Sequence, residues 1–368
     1  MSPMPRENPR RLSDKEIERY SRQIVLDKIG YHGQRRLIEA KVCVVGLGGL
    51  GSPVVFQLAA MGIGHLRLVD CDVVELSNLH RQYLYDVSNL GYPKVEVAAR
   101  KIHELNPEIE IEPSTVAVNS GTAEEVIRGM DVVVDGLDRI TPRYAINRAC
   151  VKARIPYVFG AAIMTYGTVK TIIPHESACL ECFQGGIEEA NVERCAVVGV
   201  HPSVLGIIAS VEVSEAVRIA LGEKPQLAGK LLCCDIWDMK FDEIEIQMSE
   251  DCQVCGSKSY SPPSPLKEPL VTELCARDGK RSLLIAPRYN LNINMGELKS
   301  CLLQEKATIQ INAELGMTFS FDRGIKASFL KSGVAVIEGI DEVDSALSFY
   351  EKIIVDGLAI PRSQVFCD

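Results

Sequence analysis

The sequence lacks several features that would place it among membrane, secreted or nucleic-acid-binding proteins. No apolar run reaches the roughly 18 residues of a membrane span, so none is expected. The opening stretch, MSPMPRENPRRLSDKE, has no apolar segment and is not a secretory signal. Lys and Arg number 40 against 49 Asp and Glu, and the net charge of −9 argues against a general nucleic-acid binder. The remaining class is a soluble globular protein.

Cysteine is the first residue type that stands out by its presence. The chain has 13 cysteines, an odd number for a set of disulfide pairs. In a chain of 368 residues without a leader, this count favours a reducing cytoplasm. Some of the cysteines are then expected to bind metal or to act in catalysis.

Strand and helix patterns alternate over most of the chain. Residues 1–13 are polar and rich in Pro and Arg, which predicts a flexible N-terminal arm, and Ser13 is placed to cap the helix that follows. Over residues 14–258 the βαβ alternation predicts a Rossmann-like, doubly wound, mainly parallel sheet covered on both faces. We call residues 14–258 the first domain. Its expected strands are KVCVVG, HLRLVDCD, IEIEPSTV, DVVVDGLD and PYVFGAA.

The pattern changes after a proline-rich stretch. SPPSPLKEP contains four prolines in nine residues, which predicts a linker over residues 259–269. Beyond it, helical patterns in ELKSCLLQE and EVDSALSFYEKII flank the strand patterns TIQINAE, MTFSFD, IKASFLK and VAVIEG. Residues 270–368 are therefore expected to form a separate small α+β domain, which we call the tail domain and to which the sequence assigns no role.

A glycine-rich turn follows the first strand of the first domain. Such a turn lets backbone N–H groups approach a phosphate at the N-terminus of a helix, and Asp70 follows at about the distance of a ribose-binding carboxylate. The pattern therefore predicts nucleotide binding, but it does not choose between NAD, FAD and ATP. The glycines are Gly46, Gly48, Gly49 and Gly51.

Charged and amide side chains follow the second strand and the strand DVVVDGLD. Open α/β sheets bind ligands at the carboxyl ends of their strands. Two cations with several carboxylates beside a nucleotide suit phosphoryl chemistry, in which cations neutralise phosphate oxygens and a carboxylate holds Mg²⁺. Hydride transfer would not need this set. The candidate residues are Asp70, Asp72, Ser77, Asn78, Arg81, Gln82, Lys94, Asp138 and Arg139.

Several motifs in this order resemble those of the ThiF/MoeB/HesA family, relatives of the ubiquitin-activating enzymes. They are RYSRQIVL, GLGGLGSP, D-x-D, SNLHRQ, PKVE and two C-x-x-C pairs, and the resemblance covers about residues 15–258. It implies an adenylyltransferase that uses Mg·ATP to adenylate the C-terminal glycine of a ubiquitin-like protein ending in Gly-Gly. The product would serve sulfur transfer, in molybdopterin, thiamine or tRNA thiolation, or protein conjugation, and a sulfur donor protein is a further possible partner.

The resemblance also implies roles for single residues at the nucleotide. Gly49 and Asp70 hold the nucleotide, with Asp70 on the ribose. Asn78 and Arg81 contact phosphates. The nucleophile is a carboxylate that is already ionised at pH 7, so the enzyme needs no general base and acts by positioning and charge neutralisation.

Five further residues concern the reaction. Lys94 neutralises charge at the α-phosphate and Asp138 binds Mg²⁺. Arg139 stands where the family commonly has Asn, and its effect is open. Arg22 resembles an arginine that the family supplies to the neighbouring subunit, which implies a homodimer. Cys195 is either a buried thiol or a residue that accepts the activated carboxylate or carries sulfur.

Two C-x-x-C pairs lie far apart in the sequence. Each pair can place two thiolates on one metal, and two pairs complete a structural zinc site. Spacing alone leaves redox pairs or unrelated buried thiols open, whereas the resemblance implies zinc. Four cysteine ligands leave no open position for catalysis. The residues are Cys179, Cys182, Cys252 and Cys255.

Three other functions compete with this hypothesis. A tRNA-modifying dehydratase of the same fold should carry a basic RNA-binding face, against which the net charge and the intact cysteine pairs argue. An NAD(P) oxidoreductase would leave Arg81, Lys94 and Asp138 unexplained. A scaffold without catalytic activity would be expected to lose the Lys or the Asp.

Overall fold

A computed structural model describes residues 10–189, 198–258, 261–277, 280–321 and 324–366. In this part of the chain the first sheet has eight strands, in the order β3-β2-β1-β4-β5-β6-β7-β8. Strands β1 to β5 pair in parallel, and β5 to β8 pair antiparallel. The mainly parallel sheet is confirmed. The strands are β1 (Lys41–Val45), β2 (His65–Val69), β3 (Glu110–Ser114), β4 (Val132–Asp135), β5 (Tyr157–Ile163), β6 (Tyr166–Ile172), β7 (Lys230–Asp235) and β8 (Lys240–Glu245).

Helices connect these strands. Their bounds are α1 (Asp14–Arg19), α2 (Ser21–Ile24), α3 (Gly30–Glu39), α4 (Gly51–Met61), α5 (Lys94–Leu105), α6 (Ala123–Ile127), α7 (Ile140–Ala153), α8 (Leu180–Gln184) and α9 (Pro202–Ala220). Ser13 caps α1 as predicted. The single helix expected after it is split at Tyr20, whose hydroxyl accepts a hydrogen bond from the Asn106 side chain. Of the helices described, none has the length and apolar character needed to cross a membrane.

The central strands are covered on both faces. Side chains alternate between the two faces of a strand. Val42 and Val44 of β1 lie in a core with Leu58 of α4, while Cys43 and Val45 lie in a second core on the opposite face. The doubly wound arrangement predicted from the alternation is thus confirmed.

The tail domain contains a second, fully antiparallel sheet. Its order is β11-β12-β13-β14-β10-β9. The four predicted strands are present, together with two strands that were not predicted, β9 and β10, which follow the proline-rich stretch and whose adjoining ends fall in the polar sequence ARDGKR. The elements are β9 (Val271–Arg277), β10 (Lys280–Ile285), α10 (Met295–Gln304), β11 (Thr308–Asn312), β12 (Gly316–Ser320), β13 (Lys326–Leu330), β14 (Ala335–Glu338), α11 (Val343–Glu351), a π-helix (Lys352–Gly357) and α12 (Arg362–Val365).

Both faces of this second sheet are covered. One face forms the core of the tail domain with α10 and α11. Side chains of the other face pack on Val73 and Ala117 of the first domain; they are Leu284, Leu330, Val334 and Val336. The tail domain is therefore packed against the first domain as well as being joined to it by the chain.

Strand β8 forms the outer edge of the first sheet. It pairs with β7, and all six of its side chains are exposed. Four of the six residues of KFDEIE are charged. The exposed end of the sheet therefore lies far in strand order from β1, where the nucleotide turn begins.

Candidate active site

The glycine turn joins β1 to α4. Gly46 has a φ of 87°, and its N–H donates to the carbonyl oxygen of Val69 at 2.7 Å. A Cβ on Gly51 would lie 1.8 Å from the carbonyl oxygen of Gly46, so this approach requires glycine. Within the described residues α4 begins without a side-chain cap or an acidic residue in its first turn. Pro53 has no N–H, and the Ser52 N–H donates to the carbonyl oxygen of Gly48 at 3.0 Å, so the Gly51 N–H is the donor of this first turn that can receive an anion.

The order of the strands brings three candidate segments together. Strands β2, β1 and β4 are parallel neighbours, so their carboxyl ends meet at one edge of the sheet. Asp70, Gly46 and Asp138 follow directly or closely after these three ends. This edge is where open α/β sheets bind ligands.

Asp70 is half-buried and is held by backbone donors. Its carboxylate accepts the N–H of Leu47 at 2.6 Å and the N–H of Asp72 at 2.8 Å. Burial raises the pKa of Asp70 above its ordinary value, although Lys94 acts in the opposite direction. The carboxylate thus fixes the glycine turn to the end of β2, while its remaining lone pairs can accept a hydroxyl.

Lys94 is the most buried cation of this edge. Its Nζ lies 2.7 Å from a carboxylate oxygen of Asp72, and the side chains are 6% and 28% exposed. Burial disfavours the charge, but Asp72, Asp70 and Asp138 outweigh it and raise the pKa of Lys94. The ammonium is therefore charged at neutral pH and is held among carboxylates at the start of α5.

The SNLHRQ segment lies beside the glycine turn. Asn78 ends a short 3₁₀ helix and is buried, and its side-chain Oδ1 accepts the N–H of Glu75 at 3.2 Å. The Arg81 guanidinium donates to the backbone carbonyl oxygen of Ser77 at 2.9 Å. Ser77 is an exposed residue. Gln82 is buried. Its amide nitrogen lies close to the glycine turn, because a Cβ added at Gly48 would be 3.8 Å from it. The predicted phosphate contacts of this segment remain predictions.

Asp138 and Arg139 stand between β4 and α7. Asp138 is exposed, and its charge is one of those that raise the pKa of Lys94. Arg139 occupies the N-cap position of α7. Burial raises the pKa of the Cys71 thiol to about 12, and Arg139 opposes this rise. Asp138 is thus within electrostatic reach of Lys94, and Arg139 is within reach of Cys71.

A buried ion pair beneath this turn was missed by the sequence analysis. Asp135, at the end of β4, accepts from the Arg143 Nε at 3.0 Å, from the Tyr157 hydroxyl at 2.7 Å and from the Leu137 N–H at 2.8 Å. Arg143 also donates to the carbonyl oxygens of Leu137 and Gly160 at 2.6 and 2.7 Å. The turn that carries Asp138 is therefore held from both sides. The sequence feature that could have revealed this ion pair is Asp135 itself, an aspartate at the end of the apolar strand pattern DVVVD.

The candidate catalytic residue Arg22 lies on α2, outside the segments that form this edge. Arg22 is exposed, and its neighbour Gln23 donates to the carbonyl oxygen of Met61, at the opposite end of α4 from the glycine turn. Cys195 lies outside the described residues. Their roles remain predictions.

The two cysteine pairs form one cluster. The four sulfur atoms lie within 4.8 Å of one another. Cys179 and Cys252 are 3.7 Å apart, and Cys182 and Cys255 are 3.3 Å apart. A tetrahedral ion with zinc–sulfur bonds of about 2.3 Å requires sulfurs about 3.8 Å apart. The donor set therefore fits a structural metal ion such as zinc.

A buried lysine beside this cluster was not predicted either. Lys170 of β6 is fully buried, and its Nζ has no hydrogen-bond partner among the described residues. Burial lowers the pKa of Lys170 to about 8, while Cys182 and Cys179 act to raise it. A cation in this place compensates the charge of a tetrathiolate metal centre, which is net negative.

Comparison with characterised proteins gives related sequences along the first domain. SAMP-activating enzyme E1 of Haloferax volcanii is 40% identical over 66% of this chain and 89% of the relative. Sulfur carrier protein adenylyltransferase of Thermus thermophilus is 37% identical over 67% and 94%. Adenylyltransferase and sulfurtransferase MOCS3 of Culex quinquefasciatus is 38% identical over 67% of this chain, which spans 57% of that relative.

Solved structures and a family model agree with this relationship. The crystal structure of E. coli MccB with ATP is 25% identical, with a TM-score of 0.58, and covers 65% of this chain and 74% of that chain. The family model described as the ThiF family matches residues 20–254. These residues contain the glycine turn, the Asp72–Lys94 pair and three of the four cysteines, and the chain belongs to the ThiF family.

Proposed function

We propose that this chain adenylates the C-terminal carboxylate of a ubiquitin-like sulfur-carrier protein with ATP and releases pyrophosphate. The observation that carries the proposal is the buried Lys94, which lies among Asp72, Asp70 and Asp138 at the same sheet edge as the uncapped start of α4. The names of the Haloferax and Thermus relatives, an activating enzyme E1 and a sulfur carrier protein adenylyltransferase, support the choice of substrate class.

The reaction joins two anionic groups. A carboxylate oxygen of the carrier attacks the α-phosphorus of ATP, a new oxygen–phosphorus bond forms, and the bond to the bridging oxygen of pyrophosphate breaks. The nucleophile has no proton to lose, so the enzyme must chiefly reduce repulsion between the anions and align them. The Gly51 N–H at the start of α4 receives a phosphate oxygen, and Lys94 faces the developing charge.

Two metal ions belong to this proposal. Mg²⁺, when bound with ATP, neutralises phosphate charge, and the exposed carboxylate of Asp138 would help to hold it. Zinc, when bound to Cys179, Cys182, Cys252 and Cys255, ties α8 to the segment after β8. Arg139, in place of the family asparagine, adds a second cation at the phosphate edge.

The proposed assembly is a homodimer in which Arg22 reaches the site of the partner subunit. This proposal is supported by the exposure of Arg22 on α2, which contacts the end of α4 opposite the glycine turn through Gln23. A protein that donates sulfur would act after adenylation. A thioester or persulfide on Cys195 would likewise belong to the steps that follow adenylation.

ATP–pyrophosphate exchange tests the proposed function. The full chain is incubated with ATP, labelled pyrophosphate and sulfur carriers that end in Gly-Gly. We expect label to enter ATP when a carrier is present and not when its last glycine has been deleted. Exchange that persists with the shortened carrier would refute the proposed substrate, and exchange that requires tRNA would favour the dehydratase.

A further inference from the structure

The tail domain contacts the start of α5, the helix that carries Lys94. The Thr318 hydroxyl on β12 donates to the carbonyl oxygen of Gly91 at 2.7 Å. The backbone N–H groups of Leu315 and Glu314 donate to the Glu96 carboxylate at 2.8 and 3.3 Å. The hairpin between β11 and β12 is therefore bonded on both sides of Lys94, at Gly91 before it and at Glu96 after it.

This contact is close as well as polar. A Cβ on Gly316 would lie 2.7 Å from Cγ of Pro93, so the hairpin approaches the residue before Lys94 as closely as a glycine allows. Thr318 is 1% exposed, and its hydroxyl is also 2.8 Å from that of Ser328. The donor to Gly91 is thus fixed within the sheet and shielded from water.

The same sheet contacts the segment that carries Asp72. Val73 packs with Leu330 and Val336 of the tail domain, and Cys71 packs against the same group. Val73 also forms a β-bridge with Pro93, and the Lys94 N–H donates to the carbonyl oxygen of Asp72 at 3.0 Å. The two segments that present the Asp72–Lys94 ion pair are thus paired with each other, and both pack on the tail domain.

We propose that the tail domain is a positioning element of the ATP site, in which Thr318 and Glu96 fix the start of α5 so that Lys94 meets Asp72 and the α-phosphate. The catalytic consequence rests on the proposed function. A displacement of about 1 Å in a positioned group costs a large part of the rate. A tail domain that only adds stability would leave the ATP dependence unchanged when these contacts are removed.

Three full-length variants test this positioning. Thr318→Val removes the hydroxyl at nearly constant volume, and Thr318→Ser restores it. Asn294→Ala removes the side chain that caps α10 on the far face of the tail domain, so it weakens that domain without touching the contact. Each is compared with the unsubstituted chain in ATP–pyrophosphate exchange, direct ATP binding, thermal unfolding and amide hydrogen exchange.

We expect Thr318→Val to raise the KM for ATP about fivefold or more and to speed amide exchange in residues 70–96. Thr318→Ser should remain within about twofold of the unsubstituted chain, and Asn294→Ala should lower the Tm with an unchanged KM. If Thr318→Val does not fold, Glu96→Gln gives a second measurement, because it removes the charge from a half-buried carboxylate that both hairpin N–H groups contact.

The proposal is overturned if Thr318→Val and Glu96→Gln keep both the KM and the amide exchange of residues 70–96. It is also overturned if Asn294→Ala raises the KM as much as they do, because general destabilisation then explains the effect. An unsubstituted chain that binds no ATP refutes the proposed function instead. Amide exchange in the variants then decides by itself whether Thr318 and Glu96 hold the start of α5.

Discussion

Single buried charges hold the candidate site in shape. Asp135 is fully buried, and its neighbours Arg143, Tyr157 and Leu137 supply three hydrogen bonds to its carboxylate. Burial raises the pKa of Asp135 above its ordinary value, while Arg143 is the strongest influence in the other direction. Removing one partner of such a pair leaves an uncompensated charge in the interior.

Arg143→Met is therefore expected to lower the free energy of unfolding by about 3–5 kcal/mol. The double variant Asp135→Asn/Arg143→Met should lose less than the sum of the single variants, because no unpaired charge remains. Urea denaturation followed by circular dichroism measures both quantities. Lys152→Met is the control on the same helix, because Lys152 pairs with Glu124 at the surface. A loss for Arg143→Met no larger than the control would contradict the ion-pair account.

Secondary-structure elements fix the cysteine cluster from two distant parts of the chain. Cys179 and Cys182 lie at the start of α8, and the other pair follows β8. We expect about one zinc ion per chain, lost in the double variant Cys179→Ser/Cys252→Ser because two thiolates cannot complete a tetrahedral site. Elemental analysis of protein purified without chelator measures it. Cys301→Ser, at a buried thiol of α10, is the matched control and should keep its zinc. Full zinc retention in the double variant would reject these ligands.

Local sequence patterns predicted the elements of the first domain better than its contacts. The apolar run of β1 and the following glycines identify a strand, a turn and a helix, because these depend on neighbours in the chain. Lys94 and Asp72 belong to one βαβ unit, so their proximity could be expected. Thr318 and its partner Gly91 are more than 200 residues apart, and nothing local in the threonine marks it as a neighbour of the ATP site. Such contacts arise from tertiary packing alone.

The whole molecule raises the question of whether each active site is complete within one chain. If Arg22 acts across a dimer, two inactive variants should restore activity when mixed, Arg22→Ala and Lys94→Ala. A mixed dimer has one site with its own Lys94 and the intact Arg22 of the other subunit, and a second site that lacks both. Random exchange makes about half of the dimers mixed, so about a quarter of the unsubstituted activity should return.

Subunit mixing is followed by mass spectrometry, and activity by ATP–pyrophosphate exchange. The background should be low, because an arginine at a transferring phosphoryl group is worth about 10³-fold or more. Mixed dimers without any gain in activity would show that Arg22 does not act in trans. A control mixture of Lys94→Ala with itself should stay inactive.

Strand β8 has a consequence for the solution behaviour of the chain. An outermost strand presents backbone donors and acceptors that could pair with another copy and seed aggregation. Phe241 and Ile244 would favour such pairing, but Lys240, Asp242, Glu243 and Glu245 stand beside them. Bringing two such strands together would crowd acidic groups across the new ladder. The charges of this short strand thus disfavour extension of the first sheet by the β8 of a second copy.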